Sequence, residues 1–474
     1  MSPADFLLRL ACARALAVVV GFEWRRRQRG AGVGTSARVA VGSAFLVISV
    51  CAAGTAADLQ PADAQRQTWS WHVQNTDILQ ATPGFPSQYS GPNSLDDTGE
   101  IQHTISVDLF AGARLWSGAE AHIDGLMWQG FGLSKTEGVE GFPNGEAFRL
   151  GTRAPKAIIA RLFFRQTISL GGESGAVGDD ALNLAGHRTA SRLTVTLGRI
   201  SVKDIFDNNA YANDPRTQFM SWALMANEAW DYPADSLGYT TGIAAELNRP
   251  GWAMRYGFLQ MPPVSNGMGD DHHFLKAWGM VTEIERDFSV ATHPGAVRLL
   301  LFHNRAHMGS YQEALDAPGR PANIVATRTY RTKDGIGVNV EQEVAANVGV
   351  FIRLGWSDGK NEAWVFSDVD RAASLGVSVK GAGWGRPDDI LALAGVLNGI
   401  SAVHREFFAA GGTGILAGDG ALNYGTERDA ETYYDFRVAD HLRIALDYQF
   451  VSHPAFNRDR GPVSVLGARL HWDY

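Results

Sequence analysis

Charged residues of both signs are concentrated in the segment GRISVKDIFDNNAYANDPRTQF, residues 198–219. It contains six charged side chains that could act on a solute: Arg199, Lys203, Asp204, Asp207, Asp214 and Arg216. Closely spaced guanidinium, ammonium and carboxylate groups can hydrogen-bond hydroxyl groups and set up a field across a narrow opening. The rings of Phe206 and Tyr211 add faces for stacking. The pattern predicts a constriction loop, but the same charges could instead pair with one another and only anchor the segment.

Three other motifs carry groups that could do chemistry. GDDHH (269–273) offers carboxylates and imidazoles that suit a divalent cation, although a solvated loop is the favoured interpretation. GWGRPDD (383–389) is a second candidate for the constriction, but a tight turn around Pro387 is the favoured interpretation. GGTGILAGDG (411–420) is glycine-rich but lacks the strand-loop-helix context of a phosphate-binding loop. We therefore predict no cofactor, and the identity of any metal ligands stays unknown.

Catalytic motifs are missing from the sequence. It contains no GxxxxGK[ST], HExxH or GxSxG pattern. The two cysteines, Cys12 and Cys51, both fall in the segment that we expect to be removed. The sequence therefore predicts a protein that is not an enzyme.

The N-terminal region has the features of a targeting segment. An arginine cluster at 25–29 precedes an apolar stretch, 39–57, that ends in small residues. We expect residues 1–57 to be an N-terminal extension with a cleaved signal peptide, and 58–474 to be one domain. Of 42 basic and 50 acidic residues, removal takes seven arginines and two acids, which leaves 35 and 48, or −13. An acidic balance argues against nucleic acid as a partner.

Alternation with period two dominates the chain from about residue 69. Between Ile101 and Leu115 the odd positions are mostly apolar, whereas the even positions 102–108 read Gln, Thr, Ser and Asp. Successive side chains of a strand point to opposite faces, so each such segment has an apolar and a polar face. The segments are 10 to 14 residues long, as tilted membrane strands require. The chain ends in VSVLGARLHWDY, an alternating strand that closes on an aromatic residue.

These features predict an all-β fold, a transmembrane antiparallel β-barrel with inward-folded constriction loops. We count about 15 to 17 strand candidates, one of them at 220–231, and expect 16 strands, with 18 as the alternative, because bacterial barrels have even numbers. The long breaks at 133–156, 171–190, 204–219, 309–333 and 401–428 are interpreted as extracellular or lumen-folded loops. Alternation also turns four charges toward the lumen, where they line the pore or only solvate a wet face: Arg161, Arg165, Glu341 and Glu343.

Extended strings in the chain resemble the carbohydrate-selective porin family, the OprB-type channels of the outer membrane. The resemblance runs from about residue 84 to 474. It includes ARLFFRQT, TLGRISVKDIFDNNAYANDPRTQF, ELNRPGWAMRYGFLQMPPVSNG and NRDRGPVSVLGARLHW. It implies a 16-stranded barrel of the bacterial outer membrane and passive diffusion of monosaccharides. The strings are equally similar to a manganese-permeable subgroup of these porins.

Three functions therefore stay open at this point. The leading one is a sugar-permeable porin, the second a porin for divalent cations such as manganese, and the third a secreted glycan-binding β-protein. The expected partners are small sugars or divalent cations as permeants, outer-membrane lipid and the barrel-assembly machinery. The sequence leaves open whether the protein is a homotrimer or a monomer.

Overall fold

The computed structural model describes residues 67–147, 151–271 and 273–474. The predicted signal segment 1–57, with both cysteines, lies outside the described residues, as does His272 of the GDDHH motif. The expectations for these residues stay predictions.

Strands account for most of the described chain. Their bounds are β1 Trp69–Pro83, β2 Gly99–Trp116, β3 Ala119–Gly130, β4 Thr152–Ser169, β5 Ser174–Val177, β6 Gly186–Thr189, β7 Arg192–Ser201, β8 Tyr239–Arg249, β9 Trp252–Gln260, β10 Trp278–Val290, β11 His293–Ala306, β12 Arg331–Ala345, β13 Val348–Ser357, β14 Arg371–Gly381, β15 Arg386–Gly399, β16 Glu427–Ala439, β17 Leu442–Ser452 and β18 Val463–Asp473.

The connections hold short helical pieces. These are α1 Trp222–Met225, α2 Tyr311–Asp316 and α3 Ala402–Ala409, with 3-10 turns at Leu133–Lys135, Val202–Asp204, Val325–Thr327, Ala382–Trp384 and Pro454–Phe456. None of the helices in the described ranges is long and apolar enough to cross a membrane.

Sixteen of the described strands close into one antiparallel barrel, and only β5 and β6 stand apart as a small hairpin. The barrel closes where β1 pairs with β18, from Gln74 opposite Asp473 to Ala81 opposite Leu466. Closure leaves no edge strand with unpaired backbone groups. The predicted count of 16 strands is confirmed over the alternative of 18.

The two faces of the barrel wall differ in polarity, as the alternation predicts. In β2, Ser106 and Asp108 are buried and face inward, whereas Leu109 is 56% exposed on the outside. Large apolar side chains cover the outer face at mid-strand, for example Leu301, Ile352 and Leu393. Exposed aromatic side chains lie toward the strand ends: Trp71, Trp252, Trp356, Trp472 and Tyr474. An apolar band between aromatic girdles is the outer surface of a membrane barrel.

The two ends of the barrel are unequal. At one end, the turn end, six connections have only two to four residues: 117–118, 250–251, 291–292, 346–347, 382–385 and 440–441. Gly118 illustrates their tightness, because its φ is +74° and an added Cβ would lie 2.1 Å from the Thr167 carbonyl oxygen. At the opposite end, the loop end, connections run to 37 residues in the case of 202–238. Short turns face the periplasm in outer-membrane barrels, and long loops face outward.

Two sequence predictions about the connections are wrong. The strand candidate at 220–231 is not a strand: it holds α1 and lies in the connection between β7 and β8. Its apolar side chains, including Trp222 and Trp230, are buried inside the barrel against other connections and inward wall residues. Of the two alternatives for the break at 171–190, extracellular or lumen-folded, the extracellular one is wrong, because this connection joins β4 to β7 at the turn end.

An aromatic cluster, here called the loop core, fills the barrel toward the loop end. Trp222 stacks on Phe142 at 4.9 Å between ring centroids and contacts Phe366 at 4.3 Å. These rings come from three different connections, and they pack in one cluster with wall residues such as Leu259 and Phe302. Burial of each large side chain contributes roughly 1.5–3 kcal/mol. The loops therefore form a packed body inside the barrel.

Candidate pore constriction

The connection 202–238, here called the crossing loop, runs across the lumen. It leaves the end of β7 and returns at β8, yet it contacts inward side chains on the far wall. The Glu431 carboxylate on β16 accepts hydrogen bonds from the backbone amides of Met220 and Ser221, at 2.5 and 2.9 Å. Arg469 on β18 donates to the carbonyl oxygens of Pro215 and Gln218, at 2.8 and 2.6 Å. The predicted inward-folded loop is present.

Asp207 is the buried anchor of the crossing loop. Its carboxylate accepts hydrogen bonds from the Lys203 ammonium (3.1 Å), the Asn339 amide (2.8 Å) and the Arg353 guanidinium (3.2 Å). Its own amide donates to Glu283 on β10 at 2.7 Å. Burial works to raise the pKa of Asp207, but the charges of Arg353 and Lys203 outweigh it and hold that pKa below its usual value. Burial lowers the pKa of Lys203 to about 8.

A second anchor lies at the start of the loop. Arg161 on β4 binds Asp204 through two hydrogen bonds of 2.8 Å and Asp124 on β3 through one of 2.7 Å. Arg199, near the end of β7, pairs with Asp235 at 2.6 Å and so fixes the other end of the loop. Such charge-assisted hydrogen bonds are stronger than neutral ones.

The last two predicted charges lie near the middle of the loop. Arg216 pairs with Asp108 on β2 at 3.3 Å and with Glu146 of the connection 131–151 at 3.1 Å. Asp214 is partly exposed and accepts a hydrogen bond from the Arg216 amide at 2.9 Å. Five of the six predicted charges are thus in ion pairs, and Asp214 caps a local turn.

The two aromatic residues of the segment have different surroundings. Phe206 is fully buried, and its ring lies 6.5 Å from that of Trp230. It cannot stack on a solute. Tyr211 is partly exposed and packs against the backbone of Gly349, where an added Cβ would lie 1.9 Å from the tyrosine ring.

All four side chains predicted to line the lumen lie on inward positions of their strands. Arg161 is largely buried by its ion pairs, whereas Arg165 is partly exposed and donates to the Leu182 carbonyl oxygen at 2.8 Å. Glu341 accepts a hydrogen bond from the Ala210 amide of the crossing loop at 2.7 Å. The Glu343 side chain is 34% exposed and lies 2.9 Å from His293.

A row of alternating charges along the inner wall was not predicted. It joins five neighbouring strands in the order Glu246, Arg255, Glu285, Arg298 and Glu341, with N–O distances of 2.6 to 3.3 Å. Each of these residues occupies a lumen-facing position in the alternation of its strand. The alternation could have identified these residues, because it already assigned Arg161 and Glu341 to the lumen on the same basis.

The remaining motifs have structural roles in the described residues. Trp384 and Gly385 form a turn-end connection, as expected, although Pro387 lies in β15 rather than at the turn itself. In GDDHH, Asp271 is buried and contacts His273 at 2.9 Å. The glycine-rich stretch places the amides of Ile415, Leu416 and Ala417 on the Asp368 carboxylate. No group of three or more His, Cys, Asp or Glu that could hold a metal occurs in the described ranges.

The chain was compared with known families and proteins. The family model described as "Carbohydrate-selective porin, OprB family" matches residues 92–474. No curated protein matches the chain.

Solved structures resemble the described barrel. The high-pH structure of OprB from Pseudomonas putida has a TM-score of 0.66 and 16% sequence identity, covering 86% of this chain and 94% of that one. The low-pH structure of the same protein has a TM-score of 0.47 and 13% identity, over 86% and 93%. At this level of identity the first likeness concerns the fold.

Proposed function

Because the chain belongs to the carbohydrate-selective porin family, the OprB family, we propose that it admits monosaccharides through a lumen narrowed by the crossing loop. The protein is a porin of the bacterial outer membrane and not an enzyme. What we propose beyond this is the size of the permeant and the identity of the residues that select it.

The anchoring of the crossing loop carries this proposal. Ion pairs through Arg161 and Asp207 fix the loop near its start, those of Arg216 near its middle and that of Arg199 near its end. A loop held at that many points keeps its position, so the opening beside it has a defined size. Pore selectivity follows from diameter and lining groups.

We assign different roles to the six predicted charges. Arg199, Lys203, Asp204 and Asp207 hold the loop in place. Asp214 and Arg216 stay partly exposed near its middle, where they face a passing solute. Together with Tyr211 and the wall carboxylates Glu341 and Glu343 they offer hydrogen-bond donors and acceptors that hydroxyl groups can use. Such contacts exchange readily with water, which allows release on the far side.

The manganese alternative has no supporting observation in the described residues, which contain no metal-holding group of three or more side chains. Assembly as a homotrimer, insertion by the barrel-assembly machinery and removal of residues 1–57 stay predictions.

Swelling of proteoliposomes tests the proposed function. Vesicles that contain the purified full chain should swell in glucose at a rate that depends on protein amount, and much more slowly in maltotriose. A fluorescent chelator inside the vesicles reports Mn²⁺ entry in parallel. Rapid Mn²⁺ entry with no swelling in glucose would reject the sugar proposal in favour of the cation alternative.

A further inference from the structure

The connection 170–191, here called the turn-end hairpin, is unlike the other connections at its end. The six others in the described chain have two to four residues, whereas this one has 22 and contains β5 and β6. Because β4 and β7 pair directly, a short turn would be enough to join them. The position of the turn-end hairpin therefore needs a separate explanation.

The turn-end hairpin folds into the lumen. Asp179 lies 3.2 Å from His72 on β1, and Arg114 on β2 donates to the Ala185 carbonyl oxygen at 3.1 Å. Arg165 on β4 donates to the Leu182 carbonyl oxygen. All three wall side chains occupy lumen-facing positions in the alternation of their strands.

Apolar contacts fix the hairpin at that place. Leu184 is only 1% exposed, and Leu182 packs against the buried cluster that contains Phe163 on β4. The hairpin is thus a built part of the lumen at the turn end, at the opposite end from the long loops.

Three arginines meet around this hairpin. Arg188 lies on β6, Arg165 on β4 and Arg192 at the start of β7, and all three are partly exposed. Burial lowers the pKa of the Arg188 guanidinium, and the positive charge of Arg165 lowers it further, with Arg192 adding to the effect. Arg188 thus lies close to both Arg165, which donates to the Leu182 carbonyl oxygen of the hairpin, and Arg192, which donates to the carbonyl oxygen of Thr189, the next residue after Arg188.

None of the three forms an ion pair with a carboxylate anywhere in residues 67–147, 151–271 and 273–474. The hydrogen bonds of Arg165 and Arg192 go to backbone carbonyl oxygens, those of Leu182 and Thr189, and the Arg165 guanidinium also lies 5.0 Å from the Phe163 ring. Arg161, Arg255 and Arg298, by contrast, each pair with at least two carboxylates.

The acids nearest the cluster are already engaged. Glu120 pairs with Arg114 at 3.1 Å and lies 3.2 Å from His122, and Glu246 pairs with Arg255 at 3.3 Å. An acidic protein that keeps three unpaired guanidinium groups together at its lumen wall has positive charge available there for a ligand. Guanidinium binds carboxylate and phosphate oxygens through paired N–H donors.

We propose that Arg165, Arg188 and Arg192 form a binding site for the oxyanion of a small anionic solute, a sugar acid or a sugar phosphate, at the turn end of the channel. The site deepens the proposed function and rests on it, because the solute reaches the cluster through the lumen. It extends the permeants to charged sugars, whose passage an acidic pore would otherwise disfavour.

Ion currents through the full chain in planar bilayers test the site. Gluconate, glucose 6-phosphate and glucose are added in turn to a chloride solution, and block of the current is measured. The wild type should be blocked by at least one of the two anions at concentrations tenfold or more below those at which glucose acts. The anion that blocks identifies carboxylate or phosphate as the preferred group.

Variants locate the block. R165Q/R188Q/R192Q should weaken it at least tenfold and shift the reversal potential in a KCl gradient toward cations, and R188Q alone should give an intermediate effect. R286Q is the matched control, because Arg286 is exposed on the outer face near the same end. Heat-modifiable gel mobility verifies that each variant is folded.

Two outcomes would overturn the site: equal block of the wild type and the triple variant, or anions that act no better than glucose. Glucose swelling is measured on the same preparations. If glucose permeates but the variants leave the block unchanged, only the site is rejected. If the arginine-dependent block is present but glucose does not permeate, the proposed sugar function is rejected instead.

Discussion

The Arg161 guanidinium on the barrel wall holds the Asp204 carboxylate of the crossing loop through two hydrogen bonds, both 2.8 Å long. The third side of the same guanidinium binds Asp124, which is fully buried on β3. One wall side chain thus bridges two carboxylates and fixes the start of the loop. We infer that the position of the proposed constriction depends on this contact.

Replacement of this arginine should loosen the crossing loop. In R161Q, Asp204 and Asp124 lose their shared positive charge, and removal of one partner of a buried ion pair costs about 3–5 kcal/mol. We expect lower resistance to urea unfolding, followed by tryptophan fluorescence, and faster swelling of vesicles in maltotriose.

The double variant R161Q/D204N is the control for this experiment, because it removes the loop's unpaired charge together with its partner. It should recover part of the lost stability. If R161Q matches the wild type in both measurements, Arg161 does not hold the loop.

Asp207 should be the most sensitive residue of the crossing loop. D207N removes the negative charge that Lys203 and Arg353 share in a buried site. We expect a loss of about 3–5 kcal/mol in the free energy of unfolding, because two cations are left without their partner. D440N is the matched control: Asp440 is 86% exposed and pairs with Arg437 at the surface, a type of contact worth about 0–1 kcal/mol. Equal losses in the two variants would contradict the assignment of Asp207 as an anchor.

Glu228 gives the protein a pH-dependent weakness. It is buried in the crossing loop, and burial, followed by the negative charge of Glu427, raises its pKa well above the usual value. The folded state therefore holds this proton more tightly than the unfolded chain does. Below the unfolded pKa of about 4.3 both states are protonated and the carboxyl carries no penalty. As the pH rises from there through the folded pKa, the folded protein loses stability relative to the unfolded chain, because the unfolded chain ionises this carboxyl more easily.

The variant E228Q keeps the neutral form at every pH. It should unfold at higher urea concentration than the wild type at pH 7.5, and at the same concentration at pH 4. E406Q serves as the control on a residue outside the buried core. A wild type that is as stable as E228Q at pH 7.5 would show that burial of Glu228 costs nothing.

A charged side chain on the outer face should destabilise the folded barrel more strongly the deeper in the membrane it lies. Leu393 lies at mid-strand in β15 and is 55% exposed on the outside, whereas Val438 has the same exposure one residue from the turn end of β16. Arginine costs about 2–4 kcal/mol at the bilayer midplane and about 0–1 near the interface. L393R should therefore reduce the folded fraction in lipid vesicles, measured by heat-modifiable mobility, and V438R should not. Similar folded fractions for both variants would show that the apolar band of the outer face does not lie around Leu393.

Period-two alternation, together with the length of the segments and the aromatic C-terminal residue, predicted the barrel. Sixteen of the seventeen strand candidates coincide with barrel strands, because every wall segment must present one apolar and one polar face. The exception, 220–231, is apolar for another reason: Trp222 and Trp230 pack inside the lumen against other loops. Composition alone does not distinguish a buried loop from a strand.

Ion-pair partners could not be predicted in the same way. The segment 198–219 was identified by its charges, but Asp207 meets Arg353 from a strand 146 residues away, a pairing that only barrel closure creates. The turn-end hairpin was missed as well. Residues 171–190 have loop composition, and nothing local shows at which end of a barrel a loop lies.

The size dependence of sugar entry tests the central claim, that the crossing loop limits passage to small sugars. The measurement is the ratio of swelling rates in maltotriose and glucose for the wild type and for Y211S/D214S, which shortens two partly exposed side chains of the loop without breaking an ion pair of the described structure. We predict a low ratio in the wild type and at least a threefold increase in the variant. An unchanged ratio in a folded variant, or equal rates for both sugars in the wild type, would contradict the account.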